Sequence, residues 1–279
     1  LFTYTTNSIL RGHKMFATAS LYSLVQRILF IVFIVILWFA NWSFVYVLFA
    51  MSIGLLIAGL ISLPKIKKLN PVVQKKVNRK KFFYLALSLF LVQTGFYSLR
   101  FVDALMIQYI VNFTELGLYS AYSSITNGIR LVAYVFPAVI VPLAAVSNYK
   151  LRSSFKKLMM FLVPFSLVVL IVTIFGVPFF YGSGYDAMYL PIALVIASSL
   201  LVVYAYFNAI FAGENQFSKF FVTIILVDLV LSLGLNVGLN YWMIQKWGII
   251  GAPIATSITI VFKIGLNLYG IKKLRHPAK

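Results

Sequence analysis

Four polar residues recur at helical spacing inside an otherwise apolar stretch. Gln93, Tyr97, Arg100 and Asp103 follow one another after four, three and three residues, so a helix would carry them as one stripe. A charge near the centre of a bilayer costs about 2.5–3.5 kcal/mol by insertion measurements, and such groups usually face a bundle interior or a watery cavity. Two interpretations follow for Arg100 and Asp103. They form either a self-neutralising pair that fixes helix packing, or a cavity-lining cation with an attendant carboxylate.

A second arginine interrupts the apolar stretch 117–146. Arg130 has Asn127 about one turn before it, and no acidic residue of this stretch lies near enough to neutralise it. The planar guanidinium donates two parallel hydrogen bonds and therefore suits phosphate and carboxylate groups. Arg130 is a candidate anion ligand, and an aspartate from another helix is the alternative partner.

Two further charges lie within apolar stretches nearer the C-terminus. Asp228 is close to the centre of 219–240, where an aspartate is either paired, with Lys263 as the candidate, or a site for a coupling proton or sodium ion. We predict that Lys263 extends its amine to the cytoplasmic interface, as long basic side chains near helix ends do. Asn236 and Asn240 continue the helix of Asp228 and would line the same seam.

Composition places most of this chain in lipid. Of its 279 residues, 62% are hydrophobic and only 10% are charged, whereas about a quarter of a soluble domain is charged. The absence of cysteine excludes disulfides, thiolate metal sites and cysteine nucleophiles, and we expect no cofactor and no metal. The net charge of +19 lies in clusters between apolar runs, without interleaved aromatic residues, which argues against a nucleic-acid partner.

Eight apolar runs are long enough to cross a bilayer, which takes about 20 helical residues each. The sequence therefore predicts an all-α integral membrane protein, because a helix satisfies its own backbone in hydrocarbon. The predicted spans are 20–40, 43–63, 82–111, 117–146, 158–180, 188–211, 219–240 and 250–270.

The loops between these runs predict the orientation. With eight crossings, the basic leader, the loop 64–81, the loop 147–157 and the basic tail all fall on one side. Lysine and arginine are enriched in cytoplasmic loops, so we expect a multi-pass protein of the cytoplasmic membrane with these loops and the C-terminus inside. Acidic lipid headgroups are secondary candidate partners of these loops.

An internal repeat is visible at a shift of 205 residues. Trp42 corresponds to Trp247, and the IKKL at 66–69 recurs at 271–274. The first span then maps onto the seventh, so the repeat unit has six helices and its two copies point the same way, as in transporters built from parallel repeats. We expect 1–63 to hold the end of a first lobe, 64–81 to connect the lobes, and 82–279 to be a complete second lobe. The chain would be the C-terminal two-thirds of a twelve-helix transporter.

Two segments carry a family resemblance. In ELGLYSAYSS (115–124), a Gly-x-Tyr-Ser-Ala pattern is formed by Gly117 and Tyr119 to Ala121. In WGIIGAPIATSITI (247–260), a Gly-x-x-Gly-Ala-x-x-Ala-Thr pattern is formed by Gly248, Gly251, Ala252, Ala255 and Thr256. Both segments resemble the O-antigen-type polysaccharide flippases of the multidrug/oligosaccharidyl-lipid/polysaccharide exporter superfamily. The basic, aromatic RGHKMF (11–16) is similar to the segment before that family's fifth helix. The resemblance implies two six-helix lobes around a cavity, through which alternating access moves a lipid-linked glycan outward.

The leading hypothesis is therefore a flippase for a lipid-linked oligosaccharide, and not an enzyme. Its expected substrate-binding residues are Arg100, Arg130, Asn127, Gln93 and Tyr97, with the arginines on the lipid pyrophosphate, and its expected ion-coupling residues are Asp103 and Asp228. A cation-coupled multidrug exporter of the same superfamily is the alternative, but the balance of intramembrane charges does not favour cationic cargo. A membrane glycan polymerase or glycosyltransferase would need a large outer loop or an acid cluster, and the sequence has neither.

Overall fold

The computed structural model shows a chain of consecutive long helices. It describes residues 10, 15–39, 45–67, 79–144, 151–182, 184, 188–215 and 219–275. Within these residues no strand occurs, and eight long α-helices follow one another. They are α1 (Phe16–Phe39), α2 (Val45–Lys67), α3 (Arg79–Ile110), α4 (Phe113–Ala144), α5 (Leu151–Tyr181), α6 (Tyr189–Asn215), α7 (Lys219–Trp247) and α8 (Gly251–Arg275).

The all-helical class is confirmed, and each predicted span corresponds to one of these helices. Four segments are long and apolar enough to cross a membrane by length and composition: Ser20–Leu37, Ser153–Tyr181, Tyr189–Gly213 and Val222–Lys273. The last of these includes most of both α7 and α8. Eight crossings therefore remain a prediction. Much of the basic leader, of the two basic loops and of the tail lies outside the described residues, and the orientation also stays a prediction.

The chain divides into two compact units, Leu1–Lys76 and Val77–Lys279. In the first unit, α1 packs against α2. In the second unit, α6 packs extensively against both α4 and α8, while α7 packs against α3 and α8. The second unit is thus a bundle in which α6, α7 and α8 supply most of the interior.

Local sequence explains two of the helix junctions in the second unit. Asn112 caps α4, because its side-chain oxygen accepts a hydrogen bond of 2.8 Å from the backbone N–H of Glu115. Between α7 and α8, Gly248 has φ +61°, a left-handed conformation that favours glycine. Gly251 lies so close to the backbone of Met243 that a Cβ atom would collide with it. The two glycines of the WGIIGA motif therefore allow α8 to fold back directly along α7.

The outer faces of the helices are strongly apolar. On α5, Phe175, Phe179 and Phe180 are largely exposed, and α1 exposes leucine, isoleucine and valine along its length. Such continuous apolar surfaces are unfavourable in water and are expected where lipid is the solvent. The polar groups are found in the interior of the second unit instead.

Candidate functional site

A line of buried polar side chains runs through the second unit. On α7, Asp228, Ser232, Asn236 and Asn240 recur every four residues, which places them on one face of the helix. The facing elements continue the line with side chains that are also buried. We call this set the polar seam: Asp103 of α3, Tyr119 of α4, Tyr204 and Asn208 of α6, Asp228, Ser232, Asn236 and Asn240 of α7, and Thr256, Thr259, Lys263 and Asn267 of α8.

Asp103 lies at one end of the polar seam and is held by neutral donors. The Thr256 hydroxyl lies 2.8 Å and 2.7 Å from its two carboxylate oxygens. Asn240 Nδ2 donates to Oδ1 at 2.9 Å, and the Tyr119 hydroxyl donates to Oδ2 at 3.1 Å. Among the side chains that the structure describes, which do not include that of Arg100, no basic group forms an ion pair with this carboxylate. Three helices other than its own thus hold the aspartate in place.

Two asparagines of α7 extend this cluster along the seam. Asn236 Nδ2 donates to Thr256 Oγ1 at 3.2 Å, while its side-chain oxygen accepts from Asn240 Nδ2 at 3.1 Å. Asn236 Nδ2 also lies 3.5 Å from Thr259 Oγ1. The sequence-based placement of both asparagines on the seam of Asp228 agrees with this geometry. The new observation is that Asn240 donates directly to Asp103, while Asn236 is linked to it through Thr256 and Asn240.

Asp228 lies further along the polar seam and is held by a cation. Lys263 Nζ donates to Asp228 Oδ2 at 2.7 Å and to Ser232 Oγ at 3.1 Å. The Tyr204 hydroxyl donates to the same Oδ2 at 3.2 Å, and the Lys263 ammonium lies 4.9 Å from the centre of the Tyr204 ring. Gly95 of α3 faces the ammonium, and a Cβ atom there would stand only 3.7 Å from Nζ. Among the two interpretations of Asp228, pairing with Lys263 is the one that this geometry shows.

The prediction that Lys263 extends to the cytoplasmic interface is wrong. Its side chain has 0% exposure and ends in the ion pair with Asp228. The residue lies twelve positions from either end of α8, about 18 Å of helix, which is farther than a lysine side chain can reach. The nearest partner for its charge is therefore inside the bundle.

Unused hydrogen-bonding atoms concentrate on the polar seam. Within the part of the chain that the structure describes, the buried side-chain atoms without a hydrogen-bond partner are Asn208 Oδ1, Asp228 Oδ1, Asn240 Oδ1 and both polar atoms of the Asn267 amide. All of them belong to the seam. Buried polar atoms are almost always bonded to protein, ordered water or an ion, so the seam has capacity for a small polar guest.

Arg130 lies outside the polar seam on α4. It is 7% exposed, and its Nε donates to Ser198 Oγ of α6 at 3.2 Å. The guanidinium interacts electrostatically with Asp103, but the two groups do not form an ion pair among the described contacts. The alternative partner suggested by the sequence, an aspartate of another helix, therefore acts only at a distance.

For most of the other predicted substrate ligands, the structure describes only the backbone. Asn127 is half-buried on α4, one turn before Arg130. The backbones of Gln93, Tyr97 and Arg100 belong to α3, but their side chains lie outside the described part of the structure. The proposed pair of Arg100 with Asp103 therefore stays a prediction.

Sequence reasoning missed several hydroxyl partners of the buried charges, among them Ser198, Tyr204 and Ser232. Ser232 had a usable signal, because it completes the four-residue spacing from Asp228 to Asn240. Tyr204 and Ser198 had none, since their importance depends on which helices pack together. Thr256 was noted only as part of a motif, and its contact with Asp103 joins residues 153 positions apart.

Comparison with known proteins identifies the family. A family model described as "Polysaccharide biosynthesis protein" matches residues 2–147, slightly more than half of the chain, and the matched range includes Asp103 and Arg130. Comparisons with curated proteins and with solved structures gave no match. The match confirms the predicted resemblance, and together with the long apolar helices it indicates a multi-pass membrane protein. The chain belongs to the polysaccharide biosynthesis protein family.

Proposed function

We propose that this protein is a flippase that moves a lipid-linked oligosaccharide or polysaccharide precursor across the cytoplasmic membrane by alternating access. Members of the family are typically transporters or flippases rather than enzymes. Within the described residues no cluster of histidine, cysteine, aspartate or glutamate could hold a metal ion. The main support for the proposal is that Arg130 is buried and only partly hydrogen-bonded.

Arg130 is a buried cation whose hydrogen-bonding capacity is only partly used. Ser198 accepts from Nε, while no hydrogen bond of the two terminal nitrogens is described, and neither nitrogen is among the fully buried atoms that lack a partner. A buried charge of this kind is costly unless it is paired, and truncating a partner from such a pair is usually strongly destabilising. A pyrophosphate-bearing lipid would supply the missing anion, because the free edge of a guanidinium matches two phosphate oxygens. Asn127, one turn away, would contribute a neutral donor, and Arg100, Gln93 and Tyr97 are the proposed remaining ligands.

We propose that Asp103 is better suited to ion coupling than Asp228 is. Lys263 already neutralises Asp228, so a proton or sodium ion would have to compete with a covalently fixed ammonium. The described hydrogen-bond partners of Asp103 are neutral groups that can turn their oxygens toward a cation: the hydroxyls of Thr256 and Tyr119, and the unused side-chain oxygen of Asn240. Its electrostatic interaction with Arg130 gives a physical link between ion binding and cargo binding.

The helix boundaries support the proposed two-lobe plan. Shifted by 205 residues, the bounds of α1 and α2 become 221–244 and 250–272, and the observed bounds of α7 and α8 are 219–247 and 251–275. In this plan 1–63 ends the first lobe, 64–81 connects the lobes, and 82–279 forms the second, with the basic segments on the cytoplasmic side.

The test is export of a fluorescent lipid-pyrophosphate oligosaccharide from proteoliposomes that hold the purified protein. Arg130→Ala should lower the initial rate about ten- to hundredfold, the effect of losing hydrogen bonds from a charged group. Arg27→Ala is the matched control, because Arg27 is an exposed arginine on α1, and it should export normally. Normal export by a folded Arg130→Ala protein would refute the role of this arginine.

In the same assay, the Asp103→Asn protein should still bind cargo but lose the response to an imposed proton or sodium gradient.

A further inference from the structure

An apolar groove lies between α5 and α6 on the surface of the second unit. Its volume is about 330 Å³, and its walls combine leucine, isoleucine, valine and methionine with two serines. Those serines, Ser166 and Ser199, lie 2.9 Å apart and satisfy each other, and Ser199 also donates to its own helix backbone. The floor of the groove thus offers a guest no free polar group of its own. The lining residues are Met159, Leu162, Val163, Ser166, Leu167, Leu170, Ile192, Val195, Ile196, Ser199, Leu200 and Val203.

At its Met159 end, which we call the mouth, the groove is bounded by aromatic rings and flanked by an exposed lysine. Beyond Met159 and Val203, the ring of Phe155 packs on Tyr206 and Phe207, with centroids 5.7 Å and 5.4 Å apart. Lys156 is exposed and continues the groove-lining stripe of α5 by one turn, since it precedes Met159 by three residues and Val163 by seven. Lys157 is also exposed, but it lies about 100° further round α5 than Lys156 and is turned away from the groove-lining stripe.

We propose that this groove is a binding site for one acyl chain of an anionic membrane phospholipid, whose phosphate contacts Lys156. The groove runs along α5 from Met159 to Leu170, about 16 Å at 1.5 Å per residue. Half of the hydrocarbon thickness of a bilayer is about 15 Å, so the groove matches a single acyl chain in length. Both helices that form it are among the segments long and apolar enough to span the membrane.

Charge decides which lipid occupies the groove. A lysine near the membrane surface attracts anionic lipid by an amount that corresponds to about a fivefold preference. The groove itself favours no headgroup, because its walls are apolar, so the selectivity must come from its mouth. This inference does not depend on the proposed transport function, since the groove is separate from Arg130 and from the polar seam.

Native mass spectrometry of the purified full-length protein tests the proposal. The protein would be equilibrated with equal amounts of phosphatidylglycerol, phosphatidylcholine and a polyprenyl phosphate. We expect one tightly retained lipid, with phosphatidylglycerol about fivefold over phosphatidylcholine. Val163→Phe fills the groove and should remove the retained lipid. Val168→Phe is the matched control, because both valines are half-exposed on α5, at 50% and 57%, and only Val163 lines the groove.

A second matched pair keeps the test decisive if Val163→Phe impairs folding. Lys156→Gln should reduce the preference for phosphatidylglycerol to about unity, whereas Lys157→Gln should leave it unchanged. Equal retention by the Val163→Phe and Val168→Phe proteins would show an ordinary lipid shell and overturn the proposal. Equal retention of the two phospholipids by the unaltered protein would do the same. Preferential retention of polyprenyl phosphate would overturn the assignment to a phospholipid.

Discussion

The two buried aspartates of the polar seam are stabilised in different ways. Asp228 is held by the Lys263 ammonium at 2.7 Å, whereas Asp103 is held by a threonine, an asparagine and a tyrosine. Both carboxylates lie on the same line of buried polar residues, and each also accepts a hydrogen bond from a tyrosine of a neighbouring helix. They therefore differ chiefly in the charge of their principal partner.

This difference separates a structural role from a functional one. The Asp228–Lys263 pair is electrically complete, and breaking it would leave an uncompensated charge in a medium of low dielectric. Asp103 has neutral hydrogen-bond donors, a more distant electrostatic partner in Arg130, and no ion pair among the described side chains, to which that of Arg100 does not belong. We infer that Asp228 mainly fixes the packing of α7 against α8, and that Asp103 is the exchangeable site.

The largest expected effect comes from the same substitution made at both aspartates. Asp228→Asn leaves the Lys263 ammonium buried without its carboxylate and should lower the free energy of unfolding by about 3–5 kcal/mol. Asp103→Asn removes the more distant attraction to Arg130 but breaks no ion pair among the described side chains, and its amide can still bond to Asn240 and Thr256, so we expect a change within about 1.5 kcal/mol. The measurement is unfolding of the purified proteins in mixed micelles titrated with sodium dodecyl sulfate.

Removing both charges gives the control for this pair. Asp228→Leu combined with Lys263→Met replaces the ion pair by apolar groups of similar size and should recover most of the loss. If Asp103→Asn destabilises the protein as much as Asp228→Asn does, the two sites are equivalent and the comparison fails.

An intermediate effect is expected at Thr256, the closest donor to Asp103. Thr256→Val keeps the shape of the side chain but removes a hydroxyl that lies within 2.8 Å of both carboxylate oxygens. Hydrogen bonds to charged groups contribute about 1.5–3 kcal/mol, so the free energy of unfolding should fall by about that amount. Thr256→Ser retains the hydroxyl and should lose much less. Equal losses from the valine and serine variants would mean that the methyl group, and not the hydroxyl, stabilises this position.

The sequence was sufficient for the helices and for the burial of Asp228, but not for the burial of Lys263. Long apolar runs leave a chain in lipid few choices besides helix, and each predicted span corresponds to an observed helix. The spacing on α7 also places Asp228, Asn236 and Asn240 on one face. Partners on other helices could not be predicted, because spacing within one helix does not determine which helix faces it. Lys263 shows this limit: the sequence offered it as a candidate partner of Asp228 but favoured the interface, and only the packing of α7 against α8 shows the ion pair.

The smallest expected effect compares the two tyrosines that serve the aspartates. Tyr119→Phe and Tyr204→Phe each remove one hydroxyl, which donates to Asp103 at 3.1 Å or to Asp228 at 3.2 Å. We expect losses of about 1 kcal/mol at Tyr119 and about 0.5 kcal/mol at Tyr204, as measured by the same micelle titration. The loss at Tyr204 should be smaller because Lys263 still neutralises the carboxylate and keeps its contact with the phenylalanine ring. A larger loss at Tyr204 than at Tyr119 would mean that the ammonium does not compensate for the missing donor. In that case the Asp228 site would depend on its neutral partners as much as the Asp103 site does, and the assignment of ion exchange to Asp103 alone would lose its physical basis.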